Sequence, residues 1–438
     1  MRQLFLLIII ALMIYSQPTF AQKNKKNKPA KEVYQTDKEF VPEDRIYENN
    51  IKSVLLYPYT GDPYDILKPA VIPLSQPHRL QLHFDQIGNN IENLYMKIIH
   101  CNADWSTSVL NPIQYLEDYN EFNITDRNIS LGTRIPYTHY KVIIPKVKVS
   151  GNYIIKIYRN YDEDDLLLTR RFIVYEDLVH INAKISYAAI DRMANQQVDF
   201  TILYPDLNLV NPFQTVKTVV RQNQRWDNMK FLAPQYVKEE VKTLDYHYFN
   251  GENIFRGGNE FRFFDLRSVK FNGQNVGKII IEDNAEAILL TDKSRKTEAY
   301  GLYRDINGKY YPELYETKES EIEPDYVYVT FLLDHPPVTN GKIYVFGALS
   351  DWQASPEFEM IYNTEVKKYI CTVLLKQGYY NFQYAYVESG KSIPDETYIE
   401  GSHNLTENQY EIITYYRPVG VFYDQVIGYK AFRFPDGR

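Results

Sequence analysis

The 438-residue chain has two cysteines, too few for a disulfide scaffold. It has no excess of basic residues: Lys+Arg total 49 against Asp+Glu 56, a formal charge of −7. That balance excludes a surface built to neutralise a nucleic-acid backbone. Long apolar runs are also missing. The one candidate, Leu4–Tyr15, falls short of the roughly 20 residues needed to cross a bilayer as a helix. There is no phosphate-cradling glycine loop, no G-x-S-x-G elbow, no H-E-x-x-H and no C-x-x-C pair. No segment of helical length carries an apolar period of 3.6.

What is present is aromatic. Forty Tyr and 22 Phe stand against only 19 Gly, which excludes a disordered chain. Arg2, the apolar run Leu4–Tyr15 and small residues before Ala21 read as an export signal, with cleavage expected between Ala21 and Gln22. Residues 1–31 hold Arg2, five lysines and no acid, so the remainder is more acidic than the average. Beyond Ile46 the apolar pattern has period two, as in Leu80-Gln81-Leu82-His83-Phe84 and Tyr153-Ile154-Ile155-Lys156-Ile157-Tyr158. Short β-branched and aromatic runs bounded by turn residues predict an all-β chain of consecutive antiparallel β-sandwiches. The expected division is a signal peptide over 1–21, a flexible leader over 22–44, and sandwiches over 45–177 and 178–313. A linker over 314–325, a third sandwich over 326–418 with Gln409–Tyr416 as its last strand, and an extension over 419–438 complete it.

Few residues invite chemistry. His100, Cys101, Asn102, Asp104 and Trp105 crowd six positions, and a nucleophile with its base is one reading of them. The other is a structural corner, in which Trp105 packs while Asn102 and Asp104 cap turning amides. His78 and His83 are read as a solvent and a packed histidine rather than metal ligands, and no metal or other cofactor is expected. Asp162–Asp165 reads as a solvated hairpin tip, since it lacks the spaced ligands of a calcium loop. Arg262, Phe263, Phe264, Asp265 and Arg267 alternate aromatics with charge, which suits either a protein contact surface or a sheet strand with surface ion pairs. Cys371 lies in a strand pattern and reads as a small buried hydrophobe; no disulfide with Cys101 is expected.

Two resemblances follow. Gly347–Trp352, then Met360, Tyr369–Leu375 and Gly378-Tyr379-Tyr380, resembles the early-set immunoglobulin-like modules found beside glycogen- and starch-active enzymes. That likeness implies an immunoglobulin-like last sandwich, and Trp352 corresponds to a tryptophan that stacks on sugar in some members. The wider resemblance is ordered along the chain. It comprises Asn50–Val54, His100–Trp105, Thr138-His139-Tyr140, Leu168–Phe172 with Arg170 and Arg171, Asn259–Ser268, Asn307–Tyr311, Gly347–Trp352, His403-Asn404-Leu405 and Tyr415–Pro418. This order is similar to the plug protein family of the Bacteroidota type IX secretion system. The resemblance implies a non-enzymatic periplasmic subunit that occludes the mouth of the outer-membrane translocon barrel. Its partner would be that barrel, with no nucleic acid and no membrane span of its own. The alternative is a periplasmic or surface carbohydrate-binding protein that uses Trp352 and nearby Tyr.

Overall fold

The computed structural model describes residues 38–75, 79–317 and 321–435. The export signal with its Ala21–Gln22 cleavage point, most of the expected leader and His78 lie outside them. Among the described residues the α-helices are single turns, Pro112–Tyr115, Pro212–Thr215 and Thr397–Glu400. Apart from four short 3-10 turns, the rest of the regular structure among the described residues is β, arranged as three packed units.

The first sandwich places a six-stranded sheet against a four-stranded one. The former runs Arg45–Ile46, Asp162–Tyr175, Gly151–Arg159, Leu94–Cys101 and Phe122–Asn123, with Val71–Pro73 parallel to Asp162–Tyr175. The latter runs Ile51–Tyr59, Arg79–Ile87, Tyr137–Ile143 and Arg127–Ile129. Alternate residues of these strands meet in one core, including Leu82, Phe84, Tyr140, Ile155, Ile157 and Phe172. Residues expected as a flexible leader are packed from Lys38 onward. The Lys38 ammonium pairs with Glu48 at 2.5 Å and Asp165 at 2.8 Å, and all three side chains are about nine-tenths buried or more. Asp162–Asp164 form the exposed tip expected of them, whereas Asp165 is buried against Arg159.

Strand pairing crosses the expected boundary near residue 313 and redistributes the last strands. Asn408–Tyr416, assigned above to the third sandwich, pairs instead with Val216–Gln222 and completes the second. Gln425–Phe434, within the expected extension, adds beside it. This four-stranded sheet faces a five-stranded one built on His180–Tyr187 and Asn195–Leu203, over a core of Phe200, Tyr246, Phe255, Tyr410 and Ile412. Conversely Arg262–Asp265 pairs with Gly378–Glu388, and Ala285–Leu289 runs parallel to Tyr326–Asp334. The third unit is thus a ten-stranded sheet spanning Arg262 to Glu388 that curls around Phe264, Phe331, Val345, Tyr380 and Phe382. The physical reason is that period two fixes which residues face a core but not which strand lies alongside. A non-local partner leaves no local mark.

Candidate functional site

The His100–Trp105 corner is a joint, not a catalytic triad. Successive residues of a strand point to opposite faces. His100 therefore enters the first core, edge-on to Tyr153 with centroids 5.0 Å apart, while Cys101 enters a separate apolar cluster with Trp105, Val219 and Ile413. The imidazole Nδ1 lies 2.8 Å from the Ser108 hydroxyl, and burial pushes its pKa down to about 4. Burial also pushes the Cys101 thiol up to about 12, far from a nucleophilic thiolate. Asp104 is exposed and accepts from the Ser106 amide and hydroxyl. No nucleophile–base pair forms. Both cysteines are buried and free.

Trp105 instead meets the second sandwich. It sits in the left-handed region at φ 66°, only 2% exposed, with its ring edge-on to Trp226 at 4.8 Å. The Arg171 guanidinium lies 4.8 Å from the Trp105 ring and 5.5 Å from that of Trp226, a cation–π bracket in a desolvated place. Arg171 also donates to the Pro42 carbonyl at 2.6 and 2.9 Å. Around this pair the Ala103 amide donates to Asp424 at 3.0 Å, Arg417 donates to the Asn102 side-chain oxygen at 3.2 Å, and Tyr415 donates to Asn152 at 2.9 Å. Asn102 and Trp105 therefore join the first sandwich to the second.

Arg170, the neighbour of Arg171, turns the other way. Its guanidinium reaches Asp351 of the third sandwich at 2.9 Å, next to Trp352. Trp352 is half-buried, lies edge-on to Phe346 and Phe261 at 5.5 and 5.8 Å, and has the Arg225 guanidinium of the second sandwich 4.6 Å from its ring. Packing of this kind opposes a sugar-stacking role, which needs an uncovered ring face. The three sandwiches meet around a cavity of about 180 Å³ whose lining includes Arg170, Arg171, Trp226, Lys309, Asp351 and Trp352. A larger cleft, about 760 Å³, separates the first and third sandwiches and is lined by Lys52, Arg170, Tyr326, Asp351 and Lys376 among others.

The stretch at 262–267 divides by face. Phe264 is fully buried, stacked on Tyr380 at 5.0 Å, and Arg262 is clamped by Glu400 at 2.9 Å and Asp292 at 2.7 Å. These are structural. On the other face Phe263 stacks on Tyr379 at 5.7 Å, and Tyr379 stacks on Tyr311 at 5.7 Å. Arg267, held to Asp265 at 2.7 Å and Glu313 at 2.8 Å, lies over Tyr311, Tyr315 and Tyr379. Tyr315 and Phe271, each 53% exposed, stack on one another and extend this aromatic stripe outward. A half-exposed run of aromatics around a fixed guanidinium is the composition of a protein contact surface. The sequence pattern identified Phe263 and Arg267. It could not identify Tyr311, Tyr315 and Tyr379, which reach the stripe through strand pairing and a returning loop.

Sequence reasoning also missed one of the most heavily buried ion pairs among the described residues. Asp85 on Arg79–Ile87 receives Lys376 from the third sandwich at 2.7 Å, with side chains 1% and 2% exposed. The same carboxylate accepts from Tyr326 at 2.7 Å and faces His139 Nδ1 at 2.6 Å. Burial opposes its charge, yet Lys376 and His139 outweigh it and keep the Asp85 pKa below the usual carboxylate value. The residues concerned are on the face of the strand that the alternation marks as solvent-exposed.

No helix among the described residues is long and apolar enough to cross a membrane. Residues 51–176 match the family model described as type 9 secretion system plug protein 1st domain. No curated protein matches the chain. A crystal structure of a hypothetical protein from Parabacteroides merdae ATCC 43184 is similar at 32% identity with a TM-score of 0.85, over 90% of this chain and 100% of that one. With a first sandwich that carries the plug model and a whole-length relative sharing its all-β architecture, the chain belongs to the type 9 secretion system plug protein family.

Proposed function

We propose that the chain is the periplasmic gating subunit of type 9 secretion, seated against the periplasmic mouth of the outer-membrane translocon barrel when no cargo is bound. The match over residues 51–176 carries this reading. Two features support it. The three sandwiches are tied by buried joints rather than by short exposed linkers, as a stopper requires. The aromatic stripe around Arg267 offers a contact surface with large rings fixed in place, which bind at low conformational-entropy cost. Occlusion is then a reversible protein–protein contact in competition with cargo, and no chemistry is required of the chain.

The test is purification of the translocon barrel from native outer membrane in mild detergent. The wild-type chain is expected to co-purify with barrel that lacks cargo and to be absent from cargo-loaded barrel. The double variant Phe271→Ser, Tyr315→Ser is expected to fold normally and co-purify poorly. Barrel that never carries the chain, loaded or empty, overturns the proposal.

A further inference from the structure

We propose that His83, His139 and Glu321 form a divalent-metal site, with donors suited to Zn²⁺, that fastens the first sandwich to the segment entering the third. The site is independent of the plug reading. His83 and Asp85 lie on Arg79–Ile87, and His139 lies opposite Asp85 on Tyr137–Ile143, so the antiparallel register gathers all three on one face. That face looks away from the Leu82, Phe84 and Tyr140 core and is covered by the third sandwich through Tyr326 and Lys376. Glu321 approaches from the segment that leads into Tyr326–Asp334. One ligand atom from each of the three residues lies within 4.8 Å of the others, near enough for small side-chain shifts to bring all three onto a single ion.

Three details favour a metal over a plain polar cluster. First, His83 Nδ1 and His139 Nε2 lie 3.1 Å apart, close to the separation of two nitrogens that share an ion at about 2.0–2.1 Å each. Second, the Asp85 carboxylate sits 2.6 Å from His139 Nδ1. Donation there fixes the tautomer that leaves Nε2 as a lone pair, as outer carboxylates do for metal-bound histidines. Third, His83 is 5% exposed and its ring stacks on Tyr57 at 5.3 Å, so its Nδ1 is held in place facing His139 Nε2. Lys141 pairs with Glu321 at 3.1 Å and Lys376 lies beyond Asp85, so two cations stand nearby. The two carboxylates Asp85 and Glu321 offset them, and a carboxylate has lone pairs enough for an ammonium and an ion together. Two imidazoles and a carboxylate suit Zn²⁺, with a further position open to water.

The test uses the full mature chain, stripped with chelator and desalted, then titrated with Zn²⁺ by calorimetry and with Co²⁺ by visible absorption. One equivalent should bind, with a tetrahedral ligand-field band for Co²⁺ and a higher melting temperature. Glu321→Gln, at a half-exposed position where folding is safe, should weaken Zn²⁺ by about ten-fold or more. His83→Gln should abolish the Co²⁺ band. Failure of the wild-type chain to take up either ion at micromolar concentration overturns the site. So does uptake that Glu321→Gln leaves unchanged, even if His83→Gln fails to fold.

Discussion

The first sandwich is joined to its two neighbours in opposite ways. Towards the second it presents Trp105, Cys101, Ala103 and Ile173, which merge with Val219, Ile413, Val426 and Trp226 in an apolar cluster bracketed by Arg171. Towards the third it presents Asp85, His139 and Arg170, which meet Lys376, Tyr326 and Asp351. An apolar joint gains by removing area from water, and it weakens in proportion to the area lost. A buried ionic joint gains little in net terms, because desolvation offsets the attraction, but losing one partner strands a charge. The first kind supplies adhesion. The second fixes alignment, since only one placement of the third sandwich satisfies Asp85.

Breaking each joint should therefore give different patterns, and the three tryptophans report them directly. Trp105, Trp226 and Trp352 all stand at joints, so intrinsic fluorescence in a urea titration follows joint opening. Lys376→Met is expected to cost the most, about 3–5 kcal/mol, because it leaves the Asp85 carboxylate buried without its cation. The double variant Asp85→Asn, Lys376→Met should recover most of that loss. If the double is no better than the single, the joint is not governed by the ion pair.

Trp105→Ala should cost about 3–4 kcal/mol through the cavity it leaves and the lost ring contacts. Here removal of the partner offers no rescue. Trp105→Ala, Trp226→Ala should be less stable than either single variant, and recovery in that double would erase the distinction between the joints. Arg170→Ala comes next, at about 1–2 kcal/mol, since Asp351 is partly reached by solvent and retains some hydration. Its expected signature is a change in Trp352 emission with little change at the Trp105–Trp226 pair.

The all-β class and the alternation were legible because they depend on local period and turn residues. Leu80, Leu82 and Phe84 are core as the pattern requires. The alternation puts Gln81 and Asp85 on the polar face beside His83, the histidine expected to pack, and all three are buried because the third sandwich covers that face. Alternation shows that two faces differ in polarity; it does not show that the polar one is wet. The six-residue corner at His100 was legible as structural from its geometry on a strand, but its partners Trp226, Arg417 and Asp424 are more than a hundred residues away. The return of Asn408–Tyr416 to the second sandwich was invisible for the same reason. Of the predicted contact stripe, Phe263 and Arg267 were recognisable, and their tyrosine partners depended on pairing.

The joint between the second and third sandwiches is of a third kind, and it should respond to pH. There Glu407 of the second meets Glu260, which leads into the third, its amide donating to the Glu260 carboxylate at 3.2 Å, while Asn307 donates to Glu407 at 3.1 Å. Burial, reinforced by the charges of Glu260 and Glu407, pushes the nearby Asp305 carboxyl up to about 7, against amide donors from Phe261 and Asn307. The unfolded value is 3.8. Between about 4 and 7 the folded chain keeps a proton that the unfolded chain has lost, so stability falls as pH rises through that window and flattens above it. Lys309, pushed down from 10.5 to about 7 by burial, works in the next window. From about 7 to 10.5 the unfolded chain holds the proton, and stability rises with pH. Asp305→Asn keeps the acceptor for both amides and removes one titration. It should flatten the urea midpoint between pH 5 and 7, raise it at neutral pH, where the wild-type chain has lost the stability held by the protonated carboxyl, and leave the rise above 7 intact; the gain is less than the full shift implies, because solvent reaches part of this side chain. An unchanged slope from pH 5 to 7 would transfer the effect to Glu260 and Glu407, whose pKa values burial also raises.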